Sequence, residues 1–312
     1  MSERSDIEPW RAKTIEVVLR VGAGLCFIGH GAFGILAKPG WLRYLSLFGI
    51  GPERGFRVMP VIGMVDITIG FALLFAPVLP VIVWAVVWTV FTALLRPAAG
   101  EGWWEFLERA GNYGVPLALG LSAAPISGWW ARLTQRVHVD PGPGAMYRGA
   151  LVLRVSTAAL LIGHGGYGAV MHKASWVNYL AKLGIRPSSM EQIPSIVHLV
   201  SSIGWVEIAL GVVVLLRPNA ALLGVVVVWK VFTERLRIKA GEPSWEFVER
   251  FGSYSAPLAL LIIPASYRLW LPTLTASAEI VEVHLGLRSV EAVPLRNVKN
   301  RFARHVHAVH GR

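Results

Sequence analysis

From Ile67 to Leu95 the chain runs for 29 residues without a charged side chain. That is several times the length of an ordinary strand, and it exceeds the ~20 apolar residues that a helix needs to cross a bilayer. Pro77 and Pro80 interrupt the run. Proline ends a helix or sits in its first turn, so the run reads as the end of one helix, a tight turn and a second helix. Inside hydrocarbon every backbone polar group has to be satisfied within the segment, which leaves helices as the structure for such a stretch. The whole chain agrees: 54% of its 312 residues are hydrophobic, 16% are charged and the mean hydropathy is +0.54. A soluble domain has to cover itself with polar groups, and this chain has too few of them, so it belongs in a membrane.

The second constraint is a repeat. Ile28 to Gly34 reads IGHGAFG and returns at Ile162 to Gly168 as IGHGGYG. Leu19 to Gly34 against Leu153 to Gly168 gives 8 identities in 16, and Phe91 to Pro116 against Phe232 to Pro257 gives 15 in 26. Whatever these stretches do, the chain is built to do it twice.

Taken in order, the apolar segments predict eight spans, at 15–36, 58–76, 79–96, 112–127, 150–171, 194–216, 218–237 and 254–271. Four per half is an even number, so both halves enter from the same face as parallel repeats. The expected fold is an all-α membrane protein of two parallel four-helix repeats with short interfacial amphipathic helices. The first repeat occupies 1–136, a Pro/Gly linker (Val137 to Gly144, VHVDPGPG) lies in 137–149, the second repeat occupies 150–271, and a basic tail follows over 272–312. The first segment follows Arg4, Arg11 and Lys13 as a signal peptide would. Its copy recurs in mid-chain, so it reads as an uncleaved first span.

The connectors between the third and fourth spans recur as well. Trp103, Phe106, Leu107 and Ala110 fall at i, i+3, i+4 and i+7, matched by Ser244, Phe247, Val248 and Phe251. This predicts a short amphipathic helix at the interface, with Glu101, Glu105 and Glu108, and their counterparts Glu242, Glu246 and Glu249, on the wet side and Glu105 paired with Arg109. A carboxylate metal site is the competing reading of those acids. After the first span, Trp41, Tyr44, Gly49 and Ile50 correspond to Trp176, Tyr179, Gly184 and Ile185. These elaborated connectors share one face of the membrane, and the turns on the other face are short. Trp84, Trp88, Trp129 and Trp130 read as belt or packing residues, and Arg20 and Arg154 as snorkelling side chains.

A charge at the centre of a span costs about 2.5–3.5 kcal/mol on insertion scales, so each intramembrane polar residue asks for a reason. The first half holds His30, Asp66, Thr92 and Arg96; the second holds His164, Glu207, Thr233 and Arg237, with Lys230 and His198 in addition. Asp66 stands in IGMVDITIG and Glu207 in IGWVEIALG, the same carboxylate in the same frame. All these residues fall in the leaflet facing the elaborated connectors. One polar pocket per half is therefore expected, capped by the Glu-rich helix and by Asn112 and Tyr113 in the first half and Ser253 and Tyr254 in the second. The ligand-binding candidates are His30, Asp66, Thr92, Arg96, Tyr113, His164, Glu207, Thr233, Arg237 and Tyr254; no metal is expected, and no residue is assigned as catalytic. Mutual neutralisation that holds the helices in register is the competing explanation.

LRVGAGLCFIGHGAFGIL and LRVSTAALLIGHGGYGAV resemble the opening helix of DoxX-like membrane proteins, and the second-span carboxylates Asp66 and Glu207 are similar too. The resemblance implies two DoxX-like four-helix units in tandem over residues 15 to 271. Four positions after each histidine, where that family usually has a lysine, this chain has Gly34 and Gly168. Because members of the family include subunits linked to quinone reduction, the resemblance implies a quinone as cofactor or ligand and a membrane subunit of a quinone-linked oxidoreductase. A carrier or lipid-binding protein, and a structural membrane partner without catalysis, remain as alternatives. Cys26 is the single cysteine, which excludes an internal disulfide and a CxxC redox pair. The net charge of +11 flanks apolar segments, so membrane lipids rather than nucleic acid are the expected partner, with a redox partner protein and a homo-oligomer left open. The expected location is the cell inner (plasma) membrane, multi-pass, with both termini cytoplasmic.

Overall fold

A computed structural model describes residues 7–186, 189 and 193–268; the basic tail expected over 272–312 and the last residues of the eighth expected span lie outside them. The first half comprises α1 (Pro9–Ile35), α2 (Leu42–Ser46), α3 (Pro52–Phe75), α4 (Leu79–Ala98), α5 (Trp103–Glu108), α6 (Ala110–Leu121) and α7 (Trp129–Thr134). The second comprises α8 (Pro143–Ala169), α9 (Ala174–Lys182), α10 (Ile193–Leu216), α11 (Ala220–Lys239), α12 (Ser244–Glu249), α13 (Phe251–Ile262) and α14 (Ala265–Arg268). Proline sets several starts: α1, α3 and α8 begin on Pro9, Pro52 and Pro143, where a missing N–H costs nothing. Each therefore starts about six residues before its expected span.

Helix lengths agree pairwise. α1 and α8 have 27 residues each, α3 and α10 have 24, α4 and α11 have 20, α5 and α12 have 6, and α6 and α13 have 12. Among the described residues five helices (α1, α3, α4, α8 and α10) are long and apolar enough to cross a membrane, which makes this a multi-pass membrane protein. The other three expected spans form helices too, but fall short for physical reasons. α6 and α13 are only about 18 Å long at ~1.5 Å per residue, and α11 carries Lys230, Glu234, Arg235, Arg237 and Lys239. α6 and α13 end early, at Leu121 and Ile262, and a break bounds their other ends. Arg109 and Arg250 adopt φ/ψ of −86/8 and −95/16, outside the helical basin, and separate α5 from α6 and α12 from α13.

The halves exchange their ends. α1 lies along α3 and α8 along α10, but α12 and α13 of the second half pack on α1, while α5 and α6 of the first half pack on α8. The glycine before each histidine makes this possible. A Cβ on Gly29 would overlap the backbone of Val248 and Glu249, and one on Gly163 would overlap that of Leu107 and Glu108. Where the surrounding medium is as apolar as leucine, such close approach is what holds helices together. A shared core follows, in which Leu19, Val115 and Leu119 of the first half meet Leu153, Leu161 and Leu260 of the second.

Two expectations change here. The linker is not a free tether: Val137 and Val139 are buried, Val137 donates to the carbonyl of Pro77 at 2.7 Å and Asp140 to that of Ser122 at 2.9 Å, and α8 begins at Pro143 within the expected linker. Nor do Arg20 and Arg154 reach outwards. Arg20 donates to Glu16 and to the carbonyl of Leu74; Arg154, 3% exposed, donates to the carbonyls of Leu215 and Arg268. Leu74 and Leu215 lie in the last turns of α3 and α10, where carbonyls lack helical partners, so each arginine ties the first helix of its half to the end of the next long one.

Replacing Gly29 or Gly163 by leucine has to push a short helix off its seat. Each variant is expected to lose about 1–3 kcal/mol, read as a lower unfolding temperature in detergent. An unchanged midpoint in both variants would contradict the packing described.

Candidate functional site

Two histidines reach back from the first helix of each half to the carboxylate on the next long one. His30 Nδ1 lies 2.8 Å from Asp66 Oδ2, and His164 Nδ1 lies 2.6 Å from Glu207 Oε2. Both carboxylates are fully buried, at 0% and 1% exposure, and each has an imidazole nitrogen as its hydrogen-bond partner. A ring covers each imidazole: Trp41 stacks on His30 with centroids 4.5 Å apart, and Trp176 lies 4.9 Å from His164.

Each histidine opens on its own apolar cavity. The first has a volume of about 310 Å³ and is walled by Trp41, Tyr44, Phe48, Trp88, Phe91 and Thr92, with Arg96 at its edge. The second, about 240 Å³, is walled by Trp176, Tyr179, Leu183, Trp229, Phe232 and Thr233, with Arg237 in the place of Arg96. The structure thus brings together His30, Thr92 and Arg96 with Asp66 behind the imidazole, and His164, Thr233 and Arg237 with Glu207 behind. Tyr113 and Tyr254 do not join them. Their hydroxyls donate to the carbonyls of Phe106 (3.3 Å) and Phe247 (3.2 Å), because the break after α5 and α12 turns each tyrosine back onto the short helix. Of the other expected caps, Asn112 lines the first cavity, while Ser253 is absent from the second. His198 lies on an exposed face of α10.

The cavity walls reveal what the sequence reading missed. Trp88 lines the first cavity rather than forming a belt or filling space, Trp229 lines the second, and Trp41, Tyr44, Trp176 and Tyr179 are wall residues whose matched positions in the two copies were the available signal.

The glutamates reverse their expected side. Glu105, Glu108, Glu246 and Glu249 are all buried, and the pairing of Glu105 with Arg109 gives way to pairs that cross between the halves. Glu105 accepts from Lys173 and from the Tyr167 hydroxyl, the latter at 2.6 Å; Lys38 pairs with Glu246; Arg250 donates to Glu108 and lies 3.2 Å from Glu234. Arg109 pairs with Glu108 at 2.7 Å. Between the halves Lys38, Glu105, Arg109, Lys173, Glu246 and Arg250 line a polar cavity of about 530 Å³. Within each half, Arg96 bridges to Glu101 at 3.0 Å and Arg237 to Glu242 at 2.9 Å, with the Tyr44 and Tyr179 hydroxyls donating to the same two acids. Glu249 also borders the first cavity, so the second half contributes to the first half's site.

Electrostatics in the connectors follow from these pairs. Burial alone would raise every carboxyl, but the cations and donors win. Tyr44, Arg96 and Arg43 hold Glu101 below its ordinary value, Arg109 and Lys173 do the same for Glu105, and Arg109 with His30 brings Glu249 from 4.5 down to about 2. Gly34 completes the geometry: a Cβ there would come within 2.7 Å of Gly63 Cα, so a lysine at this position would displace α3.

The depressed carboxyls bind fewer protons folded than unfolded. Their contribution to stability is therefore complete above the ordinary value of 4.5 and is lost as the pH falls towards about 2. Unfolding temperature in detergent is expected to drop over that window. A midpoint that stays level down to pH ~3 would contradict the buried pairs.

No protein family, curated protein or solved structure was found to match the chain.

Proposed function

We propose that the protein binds a lipid-soluble ring compound of the quinone type against the His/carboxylate pairs, as a membrane subunit working with a redox partner protein. The observation that carries this reading is the combination of an imidazole backed by a buried acid and an aromatic-walled cavity beside it. An apolar ring stacks on tryptophan and tyrosine faces, while its oxygens need a donor and an acceptor, which a histidine held by a carboxylate supplies. The likeness of both IGHG helices to DoxX-like proteins points the same way. The chain holds no motif for flavin, haem or iron–sulfur binding, so in this reading electrons arrive from the partner protein.

The same proposal takes the chain as eight spans in two parallel repeats, in the inner (plasma) membrane with both termini cytoplasmic. Two observations support counting α11: its outward residues Val225, Val228 and Phe232 are exposed and apolar, and its Lys230 and Glu234 face each other at 3.2 Å in the interior. α6 and α13, apolar helices of equal length at matching places in the two halves, are taken as the fourth span of each.

Titration of the purified protein with a short-chain benzoquinone and its quinol, followed by tryptophan fluorescence, tests the reading. His30→Ala is expected to weaken binding about tenfold or more, by removing a hydrogen bond to a charge-backed group. Affinity unchanged in both His30→Ala and His164→Ala would remove the pockets from the function.

A further inference from the structure

The two cavities share a plan and differ by one methylene. Glu207 uses both of its oxygens: Oε2 meets His164 Nδ1, and Oε1 accepts from the indole N–H of Trp229. Trp88 stands in the first half where Trp229 stands in the second, 141 positions apart, the same spacing that separates Asp66 from Glu207. Aspartate is shorter than glutamate by one carbon. In the first half, accordingly, only Oδ2 of Asp66 is engaged, by His30; Asp66 Oδ1 and Trp88 Nε1 are both buried and have no hydrogen-bond partner. Asn112 Oδ1, on the same cavity, is buried without a partner as well.

A buried polar atom left unpaired costs about 1–3 kcal/mol, so native proteins hold few of them. Two such atoms at matched positions, a donor on Trp88 in the cavity wall and an acceptor on Asp66 behind the His30 imidazole, call for a group that donates and accepts at once. A hydroxyl does both, and a carbonyl oxygen can only accept. The second half has no such opening, because its own carboxylate already satisfies its own indole. Exposure agrees with this difference, since the His30 side chain is 22% exposed and that of His164 is 7%.

Resting on the ring-binding reading above, we infer that the two sites are unequal. The first half is the ligand site, selective for a hydroxyl-bearing ring such as a quinol, with the hydroxyl donating to Asp66 Oδ1 and accepting from Trp88 Nε1. The second half, whose Glu207–Trp229 bond leaves neither of those atoms for a ligand, acts as a structural copy. Glu207 and Asp66 thus set which half binds, and Asp66 Oδ1, which only a donor can satisfy, sets which oxidation state of the ring is preferred.

Titrating the full-length protein in lipid nanodiscs with a short-chain benzoquinol, and separately with the matching benzoquinone, distinguishes the outcomes. The expected result is one equivalent of quinol per chain, bound at least about tenfold more tightly than the quinone because only a hydroxyl can donate to Asp66 Oδ1. Asp66→Glu, which lets the first half close on Trp88 as the second does on Trp229, is expected to weaken quinol binding at least about tenfold. Glu207→Asp should raise the stoichiometry to two. Two equivalents in the unmodified protein, equal affinity for both ring forms, or full binding in Asp66→Glu would overturn the inference while leaving the ring-binding reading standing. Failure of both rings to bind at all would overturn the two together.

Discussion

A guanidinium shut inside a protein has to be met by carboxylates, and Arg250 is met from both halves. Glu108 of the first half accepts from it, and Glu234 of the second lies 3.2 Å away. Removing one partner of such a group leaves an uncompensated charge, at a cost of about 3–5 kcal/mol, so the arrangement tolerates little relative movement of the elements that carry it. Those elements are α5, which carries Glu108, α11, which carries Glu234, and the break after α12, where Arg250 stands; α5 and α12 are each seated on the first helix of the opposite half. The cross-half pairs Lys38 with Glu246 and Lys173 with Glu105 repeat the constraint on either side. The two halves are thereby locked into one compact unit over the described residues.

The exchange has a consequence for the sites. α12 reaches α1 at Gly29, one residue before His30, and carries Glu249 to the edge of the first cavity; α5 reaches α8 at Gly163, one residue before His164. Each histidine is thus positioned by its own half's second long helix, through Asp66 or Glu207, and by the other half's short helix, through backbone contact. Duplication supplies two histidine sites, and the exchange keeps each dependent on the other copy. Against that shared frame, the substitution of aspartate for glutamate at one position is enough to make the halves chemically different.

Much of this was legible in the sequence. The IGHG repeat, the matched frames around Asp66 and Glu207, and the rule that ionisable residues in spans need partners lead directly to the His30–Asp66 and His164–Glu207 pairs. The connector helices were legible as helices but not in their orientation. An amphipathic pattern gives two faces, and the glutamate face reads as wet until the opposite half brings Lys38, Lys173 and Arg250 to it. The length of α6 and α13 was hidden for a similar reason: an apolar run from Ala110 onwards looks continuous, while the break at Arg109 and the early end at Leu121 are set by tertiary packing. Tyr113 and Tyr254 were assigned to the cavities by their place in the repeat, and that break turns them away. In the linker, Val137 and Val139 were the buried residues among Pro, Gly and Asp, and short polar-flanked valines carry no signal for what they pack against.

The most direct measurement of the locked arrangement is a double-mutant cycle on Glu108→Gln and Arg250→Gln, with unfolding free energy read in detergent at neutral pH. A pair in contact across the halves is expected to give a coupling energy of about 2 kcal/mol or more, the double variant losing much less than the two single variants combined. Effects that add to within about 0.5 kcal/mol would show that the two side chains do not meet, and would contradict the account of two halves held by each other's charges.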